Sequence, residues 1–376
     1  MPSVALYRKY RPTSFAEVAG QPQVTRALEG ALKGGSIAHA YLFAGSRGTG
    51  KTSVARIFAR AAGVGESDLY EIDAASNRGI DDVRALREQV HTLPFGSPYK
   101  CYIIDECHSL TKDAYNALLK TLEEPPPHAL FILATTELEK VPETVVSRCE
   151  LHRFRKPALR ELGECALSVA EAEGYTLEPQ AAELVALIGD GSFRDTLGAL
   201  QKVLSAGGAD ALADKKIKRS LISADAAATI LGAPSAALIR DFVGALAERN
   251  LPAALALVGT AAGQGGDLRL FAELLLRRLR FILLLRYAPD MADFIRGELS
   301  DEDFATAREL ARRSDTPINS ATLAVFLAAA AEIPRAAIPE LPLELALVDS
   351  LDPSNDKIVY AMVEGGTLHS KKRYRM

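Results

Sequence analysis

The segment Gly45 to Thr52 reads Gly-Ser-Arg-Gly-Thr-Gly-Lys-Thr and directly follows the apolar run Tyr41-Leu42-Phe43-Ala44. Two fixed glycines and a Lys-Thr end, set between a strand and a helix, make the pattern of a phosphate-binding loop. A strand–loop–helix unit of this kind is a building block of parallel α/β sheets, so the pattern constrains the fold as well as the ligand. The glycines let backbone N–H groups turn inward around a polyphosphate. The helix expected over Lys51 to Ala62 points its positive end at the anion. Lys51 is then placed to reach the β and γ phosphates, and the Thr52 hydroxyl to hold Mg²⁺. Gly45, Ser46, Arg47, Gly48, Thr49, Gly50, Lys51 and Thr52, with Ser53 behind them, form the expected nucleotide-binding set.

A chain of 376 residues is too long for one typical core, which predicts two or three domains. With 48% hydrophobic residues they have enough apolar surface to fold as globular units. No apolar run reaches the ~18 residues that span a bilayer. The longest candidate, Leu274 to Leu285, is interrupted by Arg277, Arg278 and Arg280. Met1-Pro2-Ser3-Val4 does not lead into a signal-peptide core, so no membrane contact is expected. The four cysteines, Cys101, Cys107, Cys149 and Cys165, show no paired spacing, which implies neither a zinc site nor a disulfide framework. A reducing, cytoplasmic setting follows as the expectation. A net charge of −4 neither predicts nor excludes nucleic-acid binding, because a local basic surface can sit on an acidic protein.

Short runs rich in Ile, Leu, Tyr and Phe recur at Tyr41–Ala44, Leu69–Asp73, Cys101–Ile104, Phe131–Ala134 and Leu151–Phe154. Amphipathic stretches such as Thr111–Glu124 separate them, and this alternation predicts a parallel five-stranded sheet in an α/β domain over residues 1–156. After Pro157 the strand signal disappears. Leu159 to Leu204 reads as several helices with a turn at Gly189-Asp190-Gly191-Ser192, and Gly207-Gly208 with the Lys215–Lys218 run reads as a loop. This predicts a small helical lid domain over 157–222. From Asp225 onward the chain is rich in Ala and Leu with helical periodicity, as in Leu251–Ala261, Asp267–Leu285 and Ala321–Ala331, broken at Gly265-Gly266 and Pro339. An all-α domain is therefore expected over 223–352, followed by a polar, basic tail over 353–376.

A second motif completes the nucleotide chemistry. Cys101-Tyr102-Ile103-Ile104 predicts a buried strand, and Asp105-Glu106 follow at its carboxyl end, where α/β sheets place ligands. Asp105 suits holding Mg²⁺ and Glu106 suits polarising an attacking water. Phosphoryl transfer needs mainly positioning and charge neutralisation, and such a pair supplies both.

With these two motifs, Ser147-Arg148-Cys149 and Gly191-Ser192-Phe193-Arg194-Asp195, the sequence resembles the AAA+ ATPases. Their spacing resembles the clamp loader subunits, and in particular the gamma/tau subunits of bacterial DNA polymerase III. The stretches that carry this resemblance are Tyr7–Pro12, His39–Phe43, Glu71–Asn77, Asn116–Pro126 and Leu133–Thr136. The resemblance implies an AAA+ P-loop domain, a helical lid and an all-α collar. It implies an ATPase acting within a DNA polymerase holoenzyme, using ATP and Mg²⁺ and hydrolysing ATP to ADP and phosphate. Implied partners are delta- and delta-prime-type subunits with further copies of this chain in a pentamer, a ring-shaped sliding clamp, and primer-template DNA.

The same resemblance assigns residues. Thr136 matches the sensor at the end of a central strand, with Thr135 as the neighbouring alternative. Arg148 matches the arginine finger inserted into a neighbouring subunit's ATP site, a group worth roughly 10³–10⁵ in rate in NTPases. Arg194 matches a second sensor that reaches the γ-phosphate from the lid. Arg11, Pro12 and Val18 belong to the segment that packs on the adenine base. Arg78, Arg84 and Lys112 lie in segments that track DNA phosphates, and Thr111 is placed to cap the helix that carries Lys112.

Three departures from the family stand out. A four-cysteine zinc module normally lies between the phosphate-loop helix and the next strand, but here only Gly63-Val64-Gly65-Glu66-Ser67 makes the link, so no zinc is expected. Longer members continue into further domains that contact the polymerase and helicase. Cys107 stands where an aliphatic residue is usual and is expected to be a small buried apolar group. Two other readings remain at this stage. One is an ATP-binding stator or scaffold subunit of the clamp loader with little turnover of its own, against which the intact Lys51, Thr52, Asp105 and Glu106 argue. The other is a different AAA+ DNA machine, such as a branch-migration helicase. That reading requires a winged helix where this chain carries its Ala/Leu-rich helices.

Overall fold

The computed structural model describes residues 4–76, 79–211, 221–263, 267–299 and 301–351. The chain divides into two compact units, Met1–Leu177 with Ala182–Leu221, and Glu178–Ala181 with Ile222–Met376.

The first unit is built on five strands: β1 (Ala40–Ala44), β2 (Leu69–Asp73), β3 (Lys100–Asp105), β4 (Ala129–Thr135) and β5 (Glu150–Arg153). All neighbours are parallel, in the order β2-β3-β4-β1-β5. The register pairs Ala44 with Thr135 and Asp73 with Asp105, so the carboxyl ends of the strands share one edge. Helices α1 (Leu6–Lys9) and α2 (Pro22–Gly34) precede β1, and α3 (Lys51–Ala61), α4 (Ile80–Val90), α5 (Lys112–Glu123) and α6 (Glu143–Val146) run between the strands.

Every residue of β1 and β4 is buried, as expected for central strands covered on both faces. Side chains alternate between the faces. Tyr41, Phe43, Ile103 and Ile132 pack with Val24 and Leu28 of α2 and Val54 and Phe58 of α3. Leu42, Tyr102, Ile104, Phe131 and Leu133 pack on the other face with Val83, Leu86 and Val90 of α4 and Leu118 and Leu122 of α5. Burial of each such large side chain is worth about 1.5–3 kcal/mol, so the two layers hold the strand edge rigid. Cys107 is fully buried in the second layer, and that burial pushes its thiol up to about 12.

The link from α3 to β2 is a short turn ending in a 3₁₀ segment, Glu66–Asp68. Buried Asp68 accepts backbone N–H bonds from Phe95 at 2.6 Å, Gly96 at 3.1 Å and Ser97 at 3.1 Å. The link therefore also fastens the α4–β3 loop.

Helices α7 (Leu159–Ala172), α8 (Pro179–Ile188) and α9 (Phe193–Ala211) follow. The turn expected at Gly189–Ser192 lies between α8 and α9. Gly207-Gly208, expected to be a loop, instead continue α9 to Ala211. Each glycine costs a helix only about 1 kcal/mol against Ala, and the Ala-rich flanks carry the helix through. The Lys215–Lys218 run lies outside the described residues. Two further strands, β6 (Thr176–Leu177) and β7 (Leu221–Ile222), were not signalled, because two residues leave no periodicity to read.

The second unit is helical: α10 (Ala224–Leu231), α11 (Ala236–Ala247), α12 (Leu251–Gly263), α13 (Leu268–Tyr287), α14 (Ala292–Glu298), α15 (Asp301–Arg312), α16 (Ser320–Glu332) and α17 (Leu341–Leu351). Phe242 meets Phe271 and Phe326 edge-on at centroid distances of 5.3 Å and 6.0 Å, in a core shared with Leu275, Leu279, Ile282, Leu343 and Leu347. Two of the arginines that interrupt the apolar run of α13, and Arg286 just beyond it, have structural partners. Arg278 meets the buried Asp303 at 2.8 Å, and Arg277 pairs with Glu298. Arg286 donates to the carbonyls of Leu310, Ala311, Arg313 and Ile318. No single helix among the described residues is long and apolar enough to cross a membrane. Residues 264–266 and the tail from 352 onward lie outside the described residues.

Candidate functional site

The Gly45–Thr52 loop leaves the carboxyl end of β1 pinned on both sides. The Gly45 N–H donates to the Thr135 carbonyl at 3.2 Å, and the Phe154 N–H donates to the Ala44 carbonyl at 2.7 Å. A Cβ at Gly45 would lie 2.5 Å from the Phe154 carbonyl oxygen, so only glycine fits. At the crest, Gly48 has φ +73°, and a Cβ there would lie 1.9 Å from the Ser192 hydroxyl. The Phe193 N–H donates to the Gly48 carbonyl at 3.1 Å, which seats the start of α9 on the loop. Thr49 is buried and donates its hydroxyl to the Ser46 carbonyl at 2.9 Å, whereas Ser46 and Arg47 are exposed. Gly50, with φ +100°, begins α3.

Lys51 is only 5% exposed, and its ammonium donates to the carbonyls of Gly45 at 2.7 Å and Ser46 at 3.0 Å. Burial holds its pKa below the usual lysine value, against the opposing pull of Glu106 and Asp105. The Thr52 hydroxyl donates to Asp105 Oδ2 at 2.7 Å. A hydroxyl and a carboxylate oxygen side by side form the hard donor set that suits Mg²⁺.

Glu106 follows with φ +48°, a left-handed conformation that non-glycine residues rarely adopt. Its N–H donates to Asp105 Oδ1 at 3.0 Å. Such strain typically stores about 1–3 kcal/mol and clusters at functional sites. The two threonines left open by sequence separate here. The Thr136 hydroxyl donates to Glu106 Oε2 at 3.0 Å. Thr135 is fully buried, and its Oγ1 lies 3.1 Å from His108 Nδ1 and accepts the Glu137 N–H at 3.0 Å.

Arg11 Nε donates to Ser53 Oγ at 3.0 Å, bringing two of the expected nucleotide-binding residues together, and burial lowers the Arg11 pKa. Pro12 and Val18 are half-buried, with Val18 packed on the α3-side core. Arg194, near the start of α9, is exposed, and its guanidinium lies 6.0 Å from the centroid of the Tyr7 ring. Its charge acts on both Lys51 and Arg11.

Arg148 is not drawn into this cluster. Its guanidinium donates to the Thr144 carbonyl at 2.7 Å and to Glu123 Oε1 at 2.6 Å. Lys112 is the exposed first residue of α5, which Thr111 caps by accepting the Ala114 N–H at 3.2 Å. Arg84 lies on α4. Arg78 falls outside the described residues.

Three site residues escaped the sequence reading. Buried Gln21 donates to the Arg155 carbonyl at 2.9 Å and accepts the Arg155 N–H at 3.1 Å, tying the segment before α2 to the strand edge after β5. His108 and Glu137 stand beside Glu106, with His108 Nε2 3.2 Å from Glu137 Oε1. Only the position of His108, just past the Asp-Glu pair, offered a signal.

Residues 65–158 match the family described as DNA polymerase III, delta subunit, and residues 222–357 match DNA polymerase III subunits gamma and tau domain III. A Mycobacterium tuberculosis DNA polymerase III subunit gamma/tau is 38% identical over 384 aligned residues, covering 96% of this chain. The tau subunits of Bacillus subtilis and Escherichia coli are 37% and 35% identical over 81% and 76% of this chain. The chain is similar to the DNA polymerase III gamma/tau subunits over most of its length.

The chain spans 65%, 56% and 46% of the lengths of those three relatives. Its fold also resembles that of a mutant Thermotoga maritima RuvB, with TM-score 0.50 and 23% identity, over 69% of this chain and 86% of the other. At that identity the likeness is one of fold, and the fold is that of an AAA+ P-loop domain followed by helical domains. The match to gamma and tau domain III takes in the helices after Ile222, where the sequence carries no chemical motif.

Proposed function

We propose that the chain is an ATP-hydrolysing motor subunit of a clamp loader, of the DNA polymerase III gamma/tau type. The observation that carries this reading is the convergence at one strand edge of Lys51, the Thr52–Asp105 pair and the Glu106–Thr136 pair. The phosphate loop would receive the triphosphate, with Lys51 exchanging its Gly45 and Ser46 carbonyls for phosphate oxygens. Thr52 and Asp105 would hold Mg²⁺, which when bound supplies neutralisation of the phosphate charge. Glu106, steadied by Thr136, would accept a hydrogen bond from the attacking water and orient it. Arg194 would sense the γ-phosphate from the lid.

In this reading ATP binding orders a pentameric spiral that includes delta- and delta-prime-type subunits. The spiral opens a sliding clamp and grips primed DNA, and hydrolysis releases both. Arg148 would act in the neighbouring subunit's site. Lys112, with Arg84 and Arg78, would track DNA phosphates. The helices from Ala224 to Leu351 would form the collar that holds the subunits together, and the α/β domain, lid, collar and tail would divide near residues 156, 222 and 352.

Steady-state ATPase of the assembled complex, with and without primed DNA and clamp, tests the reading, and absence of DNA-stimulated hydrolysis would overturn it. A stator or scaffold role is disfavoured by the intact set of Lys51, Thr52, Asp105 and Glu106. Failure of the chain to bind nucleotide at equilibrium would revive it.

A further inference from the structure

We propose that His108 is a positioning residue for Glu106. It would lock the water-orienting carboxylate to the end of the sensor strand, an inference that rests on the ATPase reading above. His108 sits in the 3₁₀ turn Cys107–Ser109, against the end of β4 and the Glu106 turn, with its side chain 14% exposed. Its ring touches three groups at once. Nδ1 lies 3.1 Å from Thr135 Oγ1 and 3.5 Å from Glu106 Oε2, and Nε2 lies 3.2 Å from Glu137 Oε1. Glu137 is held from its other side by Lys140, whose ammonium donates at 2.6 Å.

The hydrogen-bond accounting selects one arrangement. Nε2 faces the Glu137 carboxylate, which only accepts, so the neutral ring carries its proton there and Nδ1 is left to accept from the Thr135 hydroxyl, whose oxygen accepts the Glu137 N–H. The imidazole is thereby fixed at both nitrogens and stands as a wall beside Glu106 Oε2. The other support of that oxygen is the Thr136 hydroxyl at 3.0 Å. Thr135 and Thr136 are adjacent residues at the end of β4, so one strand end confines Glu106 from two sides, through the Thr136 hydrogen bond and through the His108 ring, which Thr135 fixes and which packs against Oε2 without donating to it.

The backbone gives the need for such a support. Glu106 is the residue with φ +48°, and a side chain leaving the main chain in that conformation has no regular helix or strand neighbours to fix its rotamer. A displacement of about 1 Å at a water-orienting group costs on the order of 10²-fold in rate. Removal of the ring should therefore lower turnover without touching the phosphate loop, which His108 does not contact in any hydrogen bond described above.

The test compares wild type with Glu106→Gln, His108→Ala, His108→Asn and Thr135→Val in the assembled complex. MgATP affinity and single-turnover hydrolysis are measured on each. The expected result is unchanged affinity throughout, a roughly 10- to 100-fold slower step in His108→Ala, and partial recovery in His108→Asn, whose amide can still meet the Thr135 hydroxyl. Thr135→Val should reproduce the His108→Ala loss, because it removes the same hydrogen bond from the other side. It also carries the test if His108→Ala fails to fold. Hydrolysis within twofold of wild type for His108→Ala or Thr135→Val overturns the proposal, as does a loss that appears as weakened ATP affinity. Equal hydrolysis by Glu106→Gln and wild type would instead overturn the role of Glu106 itself, which separates the two readings.

Discussion

Replacing Gly48 by alanine tests whether the lid is seated on the phosphate loop as tightly as the geometry requires. Two costs add. An L-residue at φ +73° is in the left-handed region, worth about 1–2 kcal/mol against alanine. The new Cβ would also sit 1.9 Å from the Ser192 hydroxyl and 2.8 Å from its Cβ. The hydroxyl must swing away, and it then loses the Asp195 N–H that it accepts at 3.2 Å at the start of α9. Loss of such a cap costs about 0.5–2 kcal/mol. The sum is about 1.5–4 kcal/mol, and at about 2–4 °C per kcal/mol for a unit of this size the transition should fall by roughly 3–16 °C. Calorimetry is the suitable assay, because two compact units give separable transitions and MgATP raises the one that holds the loop. In a Ser192→Gly background the clash and the cap are both already gone, so Gly48→Ala should cost only the backbone term. The double-mutant cycle should therefore show a coupling of about 0.5–2 kcal/mol. Equal penalties for Gly48→Ala in the two backgrounds would refute the reasoning, since the loop and the lid turn would then not be in rigid contact.

Four further outcomes follow from the site. Lys51→Ala should abolish measurable MgATP binding in an equilibrium titration, because the one ammonium at the loop is lost. Glu106→Gln should bind ATP and the clamp but stall before release, read as a stable clamp complex with hydrolysis reduced by about 10²-fold or more. Arg148→Ala should leave ATP affinity intact while hydrolysis in the assembly collapses, and normal hydrolysis by that variant would eliminate the trans-acting finger. The fourth concerns acid. Glu173 accepts from Lys9 at 2.7 Å and from the Tyr10 hydroxyl at 2.6 Å, and the Lys9 contact first, then Tyr10, holds its carboxyl below the ordinary 4.5. A depressed carboxylate stabilises the fold above its unfolded value, and that stabilisation is lost as pH falls through the folded value. The melting difference between wild type and Glu173→Gln should thus be constant above about pH 5 and vanish on further acidification; a difference that grows on acidification would contradict the assigned sign.

What the sequence made legible and what it hid differ by a physical criterion. Strands β1, β3 and β4 were readable because a strand covered on both faces is apolar along its buried run, as Tyr41–Ala44, Cys101–Ile104 and Phe131–Ala134 are. Lys51, Thr52, Asp105 and Glu106 were readable because their chemistry demands fixed spacing from a strand end. His108, Glu137 and Gln21 were not, because they act across long sequence separations, such as Gln21 on Arg155, and any polar residue at those positions would look solvated. The helix through Gly207-Gly208 was misread because local glycine cost was weighed without the flanking Ala-rich context that outweighs it.

The same criterion separates the two arginines assigned to ATP chemistry. Arg194 lies beside Tyr7 and exerts its charge on Lys51, so it stands near the phosphate loop of its own chain. Arg148 is occupied by Glu123 and the Thr144 carbonyl, with its side chain 34% exposed. An exposed arginine–carboxylate pair of this kind is worth at most about 1 kcal/mol, so it can be exchanged for a phosphate oxygen on a neighbouring chain at little cost. A trans-acting role for Arg148 therefore needs no rearrangement of the sheet, only the release of Glu123. Glu123→Ala should leave ATP binding by the single chain unchanged and make hydrolysis in the assembly no slower; a Glu123→Ala variant that loses hydrolysis as Arg148→Ala does would show that the pair itself, not the free guanidinium, is what the assembly requires.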